Sequence, residues 1–508
     1  LNSSENGEPI ESIPTSRHAG LLLHPTSLPG PYGIGALGPD AERLLDWVAE
    51  AGLSVWQFLP LTPAGAGHSP YSGPSAFAAN PWLISLRRLV EDGWLAAESI
   101  AEAPTRPADH VDFAGVLSWK DKLLRRSWER FQRNETAAQR EEFNAFVEDP
   151  SRSGWLEDWA LFAALKEHHR GLPWYDWDPE LQSREPAAVH AASAELAQPI
   201  AYQRYLQFVL RRQWRRIRTA AAKRGEQLLG DLPFYVAHDS ADVWAQRELF
   251  QLDSTGRPSV VAGVPPDYFS ETGQLWGNPV YDWNRLAQRD YDWWVRRIRT
   301  QLEWTDRIRL DHFRAFEAYW EVPATELSAV NGHWAPGPGR ALFDSLKKGL
   351  GGLPFIAEDL GSITDEVRTL RRELGLPGMR VLQFGFDDGE GEHLPSNFPV
   401  DCVAYTGTHD NDTTLGWFRE LDVEKQRRVQ EMLAAQPDEV AWRMIEEVYR
   451  SPAGLAVIPM QDLLVLDSEA RMNRPAVGTG NWSWRVTSEQ LTPSLASRLR
   501  DLAVETHR

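Results

Sequence analysis

Cysteine is nearly absent: Cys402 is the only one in 508 residues. That excludes an intrachain disulfide framework and any multi-cysteine metal site, and it points to a reducing compartment. Long apolar runs are absent too, since none approaches the roughly 20 residues of a membrane helix. Basic excess is missing: 53 Lys and Arg stand against 72 Asp and Glu, a net charge of −19. Nucleic acids and anionic membranes both demand a basic footprint, so neither is expected as a partner, whereas a neutral substrate fits. Residues 1–18 are polar and lack the apolar segment of a signal peptide, and they read as a disordered leader. The expected location is the cytoplasm, or a plastid-type compartment after loss of a transit segment.

What the chain does have is aromatic surface, with 23 Trp, 19 Phe and 12 Tyr in a polar sequence of mean hydropathy −0.44. Most of these rings read as core. A minority would serve as flat apolar platforms, which suit the faces of sugar rings.

Eight stretches carry strand character: residues 20–24, 54–60, 227–235, 306–312, 354–360, 379–386, 401–408 and 455–465. Helical spacing lies between most of them, as over Asp40–Ala51 (Ala41, Leu44, Leu45, Val48). Strands alternating with helices predict a parallel sheet, and eight such units predict an α/β fold, the (β/α)8 TIM barrel, with insertions. Residues 82–225 break the rhythm and predict a mainly helical insertion after the second strand. A second long stretch, 239–283, reads as an active-site loop after the third strand, because it holds Gly, Pro and aromatics without periodicity. The leader aside, residues 19–508 read as one catalytic barrel. Arg211, Arg212, Arg215, Arg216 and Arg218 form a stripe that reads as a solvated helix face in so acidic a chain.

The most informative stretch is Asp306–Phe316. Ile308 and Leu310 fall on one parity, Arg309 and Asp311 on the other, which is the period of a strand with two unlike faces. By itself an Arg–Asp pair at a strand end is either a structural ion pair or one wall of a site. Polar residues recur at the ends of other strands: His24, Asp231, Glu358, Asp388, His409 and Asp410. In a barrel of this kind those ends converge on one mouth, and several buried like charges are hard to explain as structure.

Such a mouth suits glycosidic-bond chemistry, which needs one ionised carboxylate and one kept protonated. Asp311 beside Arg309 is expected to stay ionised, and Glu358, in an apolar run on the adjacent strand, to be the acid. Physics alone leaves Glu358 and Asp359 open. Asp410 is a third acid, placed to stabilise positive charge. No His-x-His stands near a strand end, so no metal site and no cofactor are expected.

These segments resemble the amylomaltases, or disproportionating enzymes, a family of 4-α-glucanotransferases. The resemblance rests on Arg309-Leu310-Asp311-His312, Ala357-Glu358-Asp359-Leu360-Gly361, Tyr405 through Asp412, Gly230-Asp231-Leu232-Pro233, Tyr268 through Gln274, and Arg471-Met472-Asn473 through Gly480-Asn481-Trp482. It covers about Gly20 to Arg485. It implies retaining transfer of α-1,4-glucan segments between malto-oligosaccharides on an α-amylase type of barrel. Asp311 would be the nucleophile, Glu358 the acid/base and Asp410 the transition-state stabiliser. Substrate would be bound by Ser69, Tyr71, Asp231, Trp276, Arg309, Asp388, His409 and Asn481, with loop 264–279 covering the acceptor side. One departure is visible: Ala64-Gly65-Ala66-Gly67 lacks the tyrosine that some relatives use for a second glucan site. The rival functions are an α-glucan hydrolase with the same carboxylates and a non-catalytic glucan-binding barrel.

Overall fold

A computed structural model describes residues 17–101, 103–152, 154–266, 270–386 and 391–508. The expected leader falls mostly outside these residues, but its last two positions are built into the fold. His18 opens the first strand, and Arg17 donates to the carbonyls of Thr506, Tyr449 and Ser451.

Eight parallel strands form a nearly closed barrel. They are β1 (His18–Leu22), β2 (Val55–Gln57), β3 (Gln227–Leu232), β4 (Arg307–Leu310), β5 (Phe355–Ala357), β6 (Gly378–Val381), β7 (Cys402–Tyr405) and β8 (Leu455–Pro459). Pairing runs without interruption from β6 through β7, β8, β1, β2, β3 and β4 to β5. The last gap is bridged by the Ala357 N–H to the Pro377 carbonyl (2.8 Å) and by the Met379 N–H to the Asp359 carboxylate (2.7 Å). Gly378 is what permits this seam, because a Cβ there would sit 2.4 Å from Asp359 Oδ2. The strands are shorter than their sequence patterns suggest. The expected strand 379–386 turns into a 3₁₀ helix at Leu382, and that at 455–465 turns helical at Met460.

Helices pack outside the barrel over two large clusters of buried apolar side chains. Most tryptophans lie in these clusters, and Trp56, Trp174, Trp214, Trp244, Trp293 and Trp294 are the most deeply enclosed. Between β2 and β3 the chain is helical, ending in the 28-residue helix Ala197–Arg224. Four of the five arginines in its stripe pair internally: Arg211 meets Glu303, Arg212 meets Glu142, Arg216 meets Asp92 and Arg218 meets Asp306, while Arg215 stays exposed. The face is therefore more an ion-paired seam than a solvated surface.

The stretch 239–283 departs from its reading as an irregular loop. It contains the helix Ala241–Ala245 and the strands Val260–Val264 and Gln274–Pro279. With Ala318–Pro323 and His333–Pro336 these strands make a second, antiparallel sheet. Its strands are short and rich in Gly and Pro, and its two hairpins are joined only by the pairing of Val260–Val264 with Ala318–Pro323, far along the chain. No local period announces them.

Candidate active site

The site grows from the alternation in β4. Ile308 and Leu310 are each 1% exposed and pack outward into the apolar layer, which turns Arg309 to the barrel interior. Register then sets its partners. Arg309 lies level with Asp231 of β3. One guanidinium nitrogen donates to both Asp231 oxygens (2.9 Å each) and to Asp311 Oδ1 (2.9 Å), while Nε points at Met379 of β6 (3.4 Å). Asp231 is also held by the Tyr71 hydroxyl (2.9 Å), and both members of the Arg309–Asp231 pair are buried. A buried pair of this kind is costly to break from one side, by roughly 3–5 kcal/mol. The pair therefore fixes where Asp311 can point.

Leu310 pairs with Ala357, so Asp311 and Glu358 each stand one residue past the last rung between β4 and β5. The two are tied together through the backbone. Glu358 Oε2 accepts the His312 N–H (2.8 Å) and Oε1 accepts the Leu360 N–H (3.0 Å). His312 adopts a left-handed conformation (φ 52°), uncommon for a side-chain-bearing residue, and strain of this kind collects at functional sites. Burial pushes the Glu358 carboxyl up to about 8; Arg309 pulls it down, the neighbouring Asp311 pushes it further up, and the two backbone donors oppose that rise. Asp359, the other candidate, faces away from Asp311. It closes the barrel seam and lies beside Arg371 (3.3 Å).

Across the mouth, the turn after β7 presents His409 and Asp410. Asp410 is half-exposed, with Oδ1 accepting from Asn473 (2.6 Å) and Oδ2 lying 3.4 Å from His409 Nε2. Its backbone carbonyl accepts from Arg471 (2.7 Å). The His409 ring stacks on Tyr71 (5.1 Å between centroids, 12° between planes), and Trp482 leans against both. Ser69 caps the short turn that carries Tyr71 by accepting its N–H (3.2 Å). Trp276, on the second sheet, is 39% exposed and meets the His312 ring edge-on at 4.9 Å.

The expected residues thus gather at one end of the barrel, with two exceptions. Asp388 lies outside the described residues. Asn481 is buried and spends its amide on the Arg474 N–H and the Val477 carbonyl, so here it shapes the 474–482 loop. Three neighbours received no role from the sequence: His312, whose Nε2 is buried without a hydrogen-bond partner among the described residues, and Arg471 and Asn473, which fix Asp410. Arg471 and Asn473 belong to a motif read from sequence. Their link to Asp410 spans more than 60 residues of chain, and no local pattern could reveal it.

A parallel (β/α)8 barrel whose strand ends carry a buried proton-holding glutamate beside an Arg-anchored aspartate defines a class: barrel enzymes that act on glycosidic bonds. Comparison with known proteins narrows this. Residues 23–492 match the glycoside hydrolase family 77 pattern, described as 4-alpha-glucanotransferase. The chain is 48% identical over 501 residues to a 4-alpha-glucanotransferase of Thermus thermophilus, covering 97% of this chain and 99% of that one. It is 45% identical to a chloroplastic/amyloplastic 4-alpha-glucanotransferase of Solanum tuberosum, covering 96% and 85%. Among solved structures, an amylomaltase from Streptococcus agalactiae in complex with acarbose matches with a TM-score of 0.93 at 35% identity, covering 97% and 99%. The chain belongs to the 4-alpha-glucanotransferase family.

Proposed function

We propose that the chain transfers α-1,4-glucan segments from a donor malto-oligosaccharide to the 4-hydroxyl of an acceptor glucan or glucose, with retention through a covalent glycosyl-aspartate. The observation that carries the reading is the tie between Glu358 and the backbone of His312, which sets the Glu358 carboxyl beside Asp311.

In this reading Arg309 holds Asp311 Oδ1 and leaves Oδ2 to attack the anomeric carbon. Glu358, kept protonated by burial, donates its proton to the departing glycosidic oxygen as that C–O bond breaks. A glucosyl ester on Asp311 and a shortened glucan remain. In the second half, ionised Glu358 takes the proton of an acceptor hydroxyl, whose oxygen displaces Asp311 and restores the original configuration. Asp410 faces the positive charge that builds on the ring at both stages.

Tyr71, Asp231, Arg309 and His409 hold the sugar at the cleaved bond, and Trp276 offers a platform beyond His312. Asp388 and Asn481 remain proposed contacts, and Ser69 acts by placing Tyr71. No helix among the described residues is long and apolar enough to cross a membrane. We place the enzyme in the cytoplasm, or in a plastid as the name of the Solanum tuberosum relative suggests for that protein.

Incubation with maltotriose tests the reading. Transfer yields glucose and longer chains while the number of reducing ends stays constant. A rise in reducing ends that accounts for all product would replace it with hydrolysis.

A further inference from the structure

Just past the end of β1, at the mouth, stands a residue that the site described above does not use. His24 is 7% exposed, and its Nδ1 is buried with no hydrogen-bond partner among the described residues. Buried polar atoms are nearly always satisfied, so an orphan of this kind needs a reason. The ring borders a small cavity of about 20 Å³, enough for one water. On its far side the cavity is lined by Thr408, His409 and Asp412 of the turn after β7, by Gln461 and Asp462 after β8, and by Arg471. Burial and the nearby His409 push the His24 imidazole down to about 3, which leaves it neutral, with one N–H and one lone pair.

We propose that His24 is a positioning residue for transfer: through a water in this cavity it braces the Thr408–Asp412 turn and so fixes His409 and Asp410 against the bound sugar. The turn has a face on each side. One carries the His409 ring on Tyr71 and the Asp410 carboxylate toward the mouth. The other is the cavity wall. Asn473 holds the Asp410 side chain and Arg471 its carbonyl; Arg471 also lines the cavity, and His24 adds support to the turn from that side. A water needs two or more polar partners, and the orphan Nδ1 with the Thr408 and Asp412 groups provides them. This inference rests on the proposed roles of His409 and Asp410.

Four variants test it: His24→Phe, which fills the space without polarity; His24→Asn, whose amide reaches the place of Nδ1; His24→Gln, whose amide reaches the place of Nε2; and Asp410→Asn. Each is assayed on maltotriose for kcat and KM separately, with thermal unfolding alongside. A misplaced stabiliser costs roughly 10- to 10²-fold in rate, so His24→Phe should lose that much in kcat with little change in KM. His24→Asn should regain most of it. Normal kcat in folded His24→Phe overturns the proposal, as do equal losses in the Phe and Asn variants. Should His24→Phe not fold, the other pair decides: Asn must outperform Gln, and equal or reversed rates overturn it. Full activity in Asp410→Asn would instead overturn the underlying site reading, whereas its loss beside a normal His24→Phe removes only the role of His24.

Discussion

Asp311 and Glu358 differ in what surrounds them more than in their chemistry. The aspartate is half-buried and bonded to a guanidinium, while the glutamate is buried and faced by a second carboxylate. Burial of the second group favours its protonated form. The raised Glu358 value sets the sign of the pH response. In its proposed role as acid Glu358 must be protonated to release the leaving sugar, so kcat/KM should hold below the Glu358 value and fall as pH climbs through about 8. Glu358→Gln should abolish that limb and cut turnover by at least ~10²-fold, as should Asp311→Asn, with unfolding temperatures little changed. A pH–rate profile of each variant checks this, and near-normal rates in both would withdraw the roles given to them.

At the scale of elements, the sequence spoke clearly where a period was enforced by burial on both sides of a strand. Ile308 and Leu310 must face the helical layer, so Arg309 and Asp311 could be placed inside the barrel from their parity alone. The same logic located all eight barrel strands. It overran their ends because the segments Leu382–Phe386 and Met460–Leu463 keep apolar residues and stay largely buried after leaving the sheet. The second sheet was illegible for the opposite reason, since its edge strand Gln274–Pro279 is largely exposed and its two hairpins meet only through the distant pairing of Val260–Val264 with Ala318–Pro323. Residue physics alone left Glu358 and Asp359 open and the resemblance chose Glu358; in the structure Asp359 is taken up by the barrel seam. The entry to β3 shows a further feature that sequence hides. Glu226 is 5% exposed with both carboxylate oxygens unpartnered among the described residues, and burial pushes it up to about 8. A carboxyl raised in the folded state binds a proton the unfolded chain has lost, so stability falls as pH rises from about 4.5 to about 8. Glu226→Gln should therefore raise the melting temperature, by more near pH 8 than near pH 5. Equal shifts at the two pH values would show that the carboxylate charge is not what destabilises.

The molecule as a whole joins two architectures with different tasks. The barrel fixes the reacting groups, and the antiparallel sheet between β3 and β5 in the chain brings Trp276 over His312, beside Asp311. In the proposed mechanism water and a sugar hydroxyl compete for the same ester, and the residues proposed to form it do not choose between them. The choice falls to whatever covers the acceptor side, because excluding water spares the intermediate until a glucan arrives. An exposed indole gives an acceptor sugar an apolar face to displace water against. Trp276→Ala removes that face while leaving Asp311, Glu358 and their hydrogen bonds in place. With maltotriose as donor and acceptor, the variant should keep most of its ability to cleave but release more of each glycosyl group to water. The fraction of product counted as new reducing ends should rise severalfold over the parent. An unchanged fraction, with cleavage intact, would mean that Trp276 does not select the acceptor and that the barrel mouth itself favours sugar over water.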